Sequence, residues 1–101
     1  MQPRRNRVKF EWDSEKDLRN QRDHGVAFLD ARRAFADPNR IIFEEIDHST
    51  TTEIRYFCLG LVDGKVMTVR FTLRNRRIRI IGAGYWRKER RIYEERNNED
   101  S

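Results

Sequence analysis

A chain of 101 residues has room for one hydrophobic core, so no second domain is expected to carry a cofactor. Hydrophobic residues at 37% suffice for that core, while charged residues at 39%, against ~25% in ordinary globular chains, make the surface densely ionic. With 22 Lys and Arg against 17 Asp and Glu the net charge is +5 and Arg-dominated, which points to a nucleic-acid backbone or an acidic protein as partner.

Residues 1–7 are basic but lead into no apolar stretch, and no run approaches the ~18 apolar residues of a membrane span, so neither an export signal nor a membrane segment is expected. The whole of 1–101 reads as one domain, with flexible ends at 1–7 and 96–101. Residues 8–12 alternate Val8, Phe10 and Trp12 with Lys9 and Glu11, the period of a half-buried strand. Asp13 and Ser14 can cap a helix that should end at His24, because Gly25 is a left-handed stop. Its one large apolar residue, Leu18, is expected to hold it to the sheet. Residues 27–36 place Phe28, Ala31, Ala34 and Phe35 at helical spacing until Asp37-Pro38 ends the run.

The period then changes. Residues 40–46 read as a strand, 47–52 as a polar connection and 53–61 as a third strand, with Cys58 buried on its apolar face. One cysteine allows no internal disulfide and fits a reduced cytoplasm. Asp63-Gly64 is a hairpin signal leading to a strand at 65–73, a short turn at 74–76 and a last strand at 77–83, after which Gly82 and Gly84 loosen the backbone. Residues 86–96 form a charged helix anchored by Ile92 and Tyr93. The expected fold is α+β: an N-terminal strand, two helices together on one face of an antiparallel sheet, and a short C-terminal helix, leaving the other face for function.

Trp12-Asp13 with Lys16 and Asn20, then His24-Gly25-Val26 with Phe28, then Phe35-Ala36-Asp37-Pro38, resemble the N-terminal signature of BrnT-type toxins. Glu53 and Arg55 before Leu59-Gly60, the Val62-Asp63-Gly64 turn, Ile78-Arg79-Ile80-Ile81 and residues 90–95 continue the likeness, which covers about 8–95. The resemblance implies a RelE-like fold, a metal-independent endoribonuclease of a type II toxin-antitoxin system that arrests growth, and a BrnA-like antitoxin that neutralises it and brings the complex to operator DNA. The chain departs from the family at one corner. Where many members read Ile-Ser-Ala-Arg, it reads Ile81-Gly82-Ala83-Gly84, which removes a hydroxyl and a guanidinium from that corner; followed by Tyr85-Trp86, this wording is taken as a subfamily form.

Cutting RNA without a metal requires an aligned 2′-hydroxyl, a proton carrier, and cations for the growing charge. No His, Cys and carboxylate cluster has metal-ligand spacing, and there is neither a P-loop nor a dinucleotide turn, so no cofactor is expected. Arg70 and Arg79, cations within strands, are the candidates to clamp a phosphate, or else each is a solvated strand residue or pairs with Glu53 across the sheet. His24 and His48 are of the type that carries protons near neutral pH; His24 can equally cap its helix, and His48 reads as an exposed loop residue. Tyr85 is a second proton carrier if a nearby Arg lowers its pKa, and Glu53 is either a general base or the ion-pair partner of Arg55. Lys16, Arg55, Trp86, Arg87 and Lys88 are the candidates for RNA contact, although Trp86 also reads as a core anchor for the last helix. Two other readings remain at this level: a basic module, no longer catalytic, that docks an antitoxin or nucleic acid, and a DNA-binding domain, against which the lack of a helix-turn-helix pattern counts.

Overall fold

Capping and alternation set the elements of residues 8–99, the part of the chain that the computed structural model describes. Strand β1 is Phe10–Trp12 and helix α1 is Ser14–His24. The Asp13 carboxylate accepts from the Lys16 amide at 3.0 Å to open α1, and Gly25 at φ 68° closes it. Asp17, in the first turn, also accepts from the Phe28 amide at 2.9 Å and so fixes where the next helix begins. That helix, α2, is Phe28–Ala31, and it tightens into a 3₁₀ turn over Arg32–Ala36, so the helix expected over 27–36 is α-helical only in its first half.

The remaining strands are β2 (Ile41–Glu44), β3 (Arg55–Val62), β4 (Lys65–Arg74) and β5 (Arg77–Gly84), an antiparallel meander to which β1 adds in parallel beside β5. The sheet is therefore mixed, in the order β1-β5-β4-β3-β2: the expected four-strand antiparallel meander, with β1 added in parallel at its edge. Both tight hairpins carry two central residues of positive φ, Asp63 and Gly64 (51° and 80°) and Asn75 and Arg76 (51° and 65°), the turn geometry that matches strand twist. Helix α3 runs Arg87–Glu99. Residues 96–99, expected to be loose, are thus helical; the other expected flexible ends, 1–7 and 100–101, lie outside the described residues.

One sheet face packs Cys58, Met67, Val69, Phe71, Ile80 and Ala83 against Val26, Phe28, Ala31 and Ala34 of the α2 region. Gly60 makes this approach possible: a Cβ there would stand 2.1 Å from the Ala34 carbonyl oxygen. On the opposite face α3 brings Tyr93 and Ile92 onto Leu59, Val66, Phe43 and Phe57. It is held there by Asp37, which accepts from the Tyr93 hydroxyl at 2.6 Å and the Leu61 and Asn39 amides at 2.8 and 2.9 Å. Burial alone would raise the Asp37 carboxyl, but these bonds, with the charge of Arg40, outweigh it and hold the group below its ordinary value. Burial, with the bond to Asp37, pushes the Tyr93 phenol up to about 12.

The expectation that α1 shares a face with α2 is corrected. Leu18 is 65% exposed and anchors nothing; the buried residue of α1 is Asn20. Its amide donates to the carbonyls of Val26 (2.7 Å) and Ala83 (2.9 Å), and its oxygen accepts from the Ala83 amide at 3.1 Å. A polar residue that satisfies backbone groups at the end of β5 fixes α1 there, and several of its other side chains face the side of the sheet away from α2.

A register shift completes the frame. Arg70 pairs with Gly82 but Phe71 with Ile80, so Ile81 is one residue extra in β5 and the alternation reverses beyond it. Gly82 and Gly84 thereby join Arg77 and Arg79 on the face that carries Arg70, instead of pointing into the core.

Candidate active site

The part of that face left uncovered by α3 is a cleft of about 510 Å³. Phe57, Thr68 and Arg70 form its floor with Ile81, Gly82 and Ala83; α1 supplies Lys16, Arg19, Asn20, Asp23 and His24 along one side; Glu45 and His48 stand on another; Trp86 and Glu89 close the end.

Its most ordered feature is a carboxylate shared by two partners. Glu45 is buried, with Oε1 accepting from Nε of Arg70 at 3.0 Å and Oε2 lying 2.7 Å from Nδ1 of His48. A carboxylate that only accepts requires the hydrogen on Nδ1, which leaves Nε2 of His48 to exchange protons with whatever enters the cleft. Because side chain 48 is 56% exposed while Glu45 is 8%, the imidazole is fixed at its base and open at its tip.

The chain holds this group through local hydroxyl bonds. His48 ends a short 3₁₀ turn, Ile46–His48, and the Ser49 hydroxyl next to it donates to the Glu45 carbonyl and accepts from the Arg55 amide, each at 2.9 Å. Thr50 adds its amide to the Glu53 carbonyl at 2.8 Å. The segment expected to be a plain polar connection is therefore a braced loop. Its run of Ser and Thr after a histidine is the signal that could have shown this, since such hydroxyls bond to nearby backbone.

Of the residues singled out from sequence, Arg70, His24, Lys16 and Trp86 meet at the cleft. The His24 ring meets Trp86 edge-on, 5.2 Å between centroids, and Trp86 is 37% exposed, so it lies over the mouth of the cleft and not in the core. Arg79 shares the sheet face of Arg70 but does not line the cleft; its guanidinium is bound to Glu11 on β1 at 2.9 Å, and neither Arg70 nor Arg79 pairs with Glu53. Glu53 and Arg55 are a separate ion pair at 3.1 Å, extended by Arg74 at 3.3 Å. Arg55 beside it holds the Glu53 carboxyl below its ordinary range, which makes it a poor base.

Tyr85 lies away from the cleft as well, and partial burial, followed by the charge of Asp63, raises its phenol where the sequence reading looked for a lowered one. Arg87 lines the same neighbouring depression as Tyr85, and Lys88 is exposed on the first turn of α3. Burial pushes the Cys58 thiol up to about 12, a buried thiol with no nucleophilic character. Reading the sequence missed Glu45 and Arg19 and undervalued His48 and Asn20.

Among the described residues, no three His, Cys, Asp or Glu side chains gather in a group able to hold a metal ion, and no helix is long and apolar enough to cross a membrane. The Thr68 hydroxyl on the cleft floor is buried without a partner among the described residues, a costly state at about 1–3 kcal/mol unless an oxygen or nitrogen meets it.

Fold and site together define a small basic α+β domain with a polar, cation-lined cleft on one face of a five-stranded sheet. The family model described as the ribonuclease toxin BrnT of type II toxin-antitoxin systems matches residues 12–89, and the chain belongs to that family. Membership makes it a toxin of the ribonuclease kind with an antitoxin as partner. Comparison with curated proteins gives no match.

Proposed function

We propose that this chain is a metal-independent endoribonuclease of RelE-like fold that cuts RNA in the cleft, arrests growth in the cytoplasm, and is neutralised by a BrnA-like antitoxin through which it meets operator DNA. The observation that carries the reading is the single buried carboxylate of Glu45 holding the Arg70 guanidinium and the His48 imidazole side by side. In-line cleavage needs these two kinds of group. His48 accepts the proton of the ribose 2′-hydroxyl through Nε2 as that oxygen attacks phosphorus, and Arg70, with Lys16 and Arg19, balances the charge gathering on the phosphate oxygens. The 5′-oxygen departs with a proton, for which His24, the other histidine lining the cleft, is the carrier by type. Arg79 acts through Glu11 as a brace for β1 and not as a second clamp.

The ends of the products test the route. Attack by the 2′-hydroxyl leaves a 2′,3′-cyclic phosphate and a 5′-hydroxyl, and one 2′-deoxy nucleotide at the cut bond stops it. Products with 3′-hydroxyl and 5′-phosphate ends would mean that water attacks, and the assignment of His48 would fail.

A further inference from the structure

Beside the cleft lies a second depression, also about 510 Å³, between the β3–β4 hairpin and α3. Trp86 borders both, so the two are continuous across one indole ring. We propose that this depression is a second nucleotide subsite, which takes the single-stranded RNA next to the bond cut in the cleft, with Trp86 as the surface on which a base stacks between the two. The proposal rests on the nuclease reading of the cleft.

Three observations carry it. The depression presents Lys65, Arg87 and Arg90, none of which is ion-paired with any described residue, whereas Arg55, Arg70 and Arg79 are each tied to a carboxylate. Unpaired cations are the ones free to take phosphate oxygens. Glu94 also borders the depression and leaves the three cations in excess.

Second, the ring of Trp86 is pre-set. A Cβ on Gly84 would stand 2.5 to 2.9 Å from three carbons of the indole, so the ring rests directly on the bare backbone of β5, and the His24 ring packs edge-on against it. A half-exposed aromatic already fixed in place loses little freedom on stacking against a base, and stacking is indifferent to sequence. Tyr85, 45% exposed, offers another ring within the depression.

Third, Val66 of the second depression and Thr68 and Arg70 of the cleft are successive residues on one face of β4. Along this strand, at ~3.3 Å per residue, Val66 is thus about 7 Å from Thr68 and about 13 Å from Arg70, spans of about one and two nucleotide steps of an extended RNA strand. Gly84, a departure from the family wording, is on this account what gives the ring its seat.

The test compares short oligoribonucleotides, which fill only the cleft, with ones extended by several nucleotides, in the wild type, Trp86→Ala, Trp86→Phe, and the double variant Lys65→Ser with Arg90→Ser. Binding is read in parallel by fluorescence anisotropy of labelled analogues made uncleavable by a 2′-deoxy nucleotide. Extension should lower the wild-type KM, and that advantage should shrink about tenfold in Trp86→Ala and in the double variant, be largely kept in Trp86→Phe, and be unaltered in the control Arg32→Ser. Equal losses on short and long substrates, or an undiminished advantage, would overturn the subsite. If the wild type cuts no RNA but binds uncleavable strands with this length dependence, the subsite stands and the nuclease reading falls; cutting without length dependence gives the reverse.

Discussion

Both oxygens of Glu45 are engaged, one by Arg70 and one by His48, so the residue is sensitive to the least change of its atoms. Glu45→Gln keeps the shape but replaces one acceptor with a donor, which cannot face either a guanidinium or an Nδ1–H. We expect kcat to fall about 10²-fold with KM little altered, because the proton carrier is misdirected rather than the substrate lost; circular dichroism checks that the fold survives. The two glycines of β5 give an opposite pair of outcomes. Nothing stands closer than 3.9 Å to a Cβ on Gly82, so Gly82→Ser should fold within ~0.5 kcal/mol of the parent. Gly84→Ala must displace the Trp86 ring and should cost about 1–3 kcal/mol in urea denaturation, together with part of the activity on long RNA. Comparable stability of the two variants would show that the ring is not seated on Gly84.

At the scale of elements, α1 and α3 are each held by one polar knot. Asn20→Ala would leave the Val26 and Ala83 backbone groups without their partners, and we expect a loss of about 2–4 kcal/mol in urea denaturation with an unchanged m-value. The Tyr93–Asp37 bond adds a dependence on pH. In the unfolded chain Tyr93 ionises near 10.0, in the fold not until about 12, so its contribution is complete below pH 10.0 and disappears as pH rises toward 12. Two units correspond to about 2–3 kcal/mol. Asp37 works in the other direction: its lowered pKa stabilises the fold above 3.8 and the contribution is lost as pH falls below that value. Tyr93→Phe should therefore be less stable at pH 7 yet lose less between pH 10 and 12; an alkaline limb identical to the wild type would show that the phenol is not ionising there. The ends of α1 were legible in Asp13 and Gly25 because caps are local chemistry. Its anchor was not: hydrophobic periodicity could only nominate Leu18, and nothing in a sequence marks an asparagine whose partners are backbone groups 63 positions away.

For the molecule as a whole, the strands of the meander and their turns followed from alternation, Asp63-Gly64 and the change of period after Pro38, whereas the site depended on two long-range events that no local pattern records. The extra residue at Ile81 decides which β5 side chains share a face with Arg70, and the packing of the 45–55 loop against β4 makes an ordinary-looking Glu and His into a coupled pair. Arg70 was legible as a cation inside a strand; its companion Arg79 was legible in type but stands outside the cleft. On the proposed reading the net charge of +5 acts through the cations bordering the two depressions. With about four of them on phosphates, log K for single-stranded RNA should fall with log salt at a slope of about −3, measurable by anisotropy. A slope near zero would remove the phosphate contacts from the account. The most direct measurement is incubation of purified protein with naked RNA in EDTA, wild type beside His48→Ala. Cleavage that persists in the chelator and drops at least about 10²-fold in the variant is the predicted result; cleavage abolished by EDTA, or undiminished without the imidazole, would contradict it.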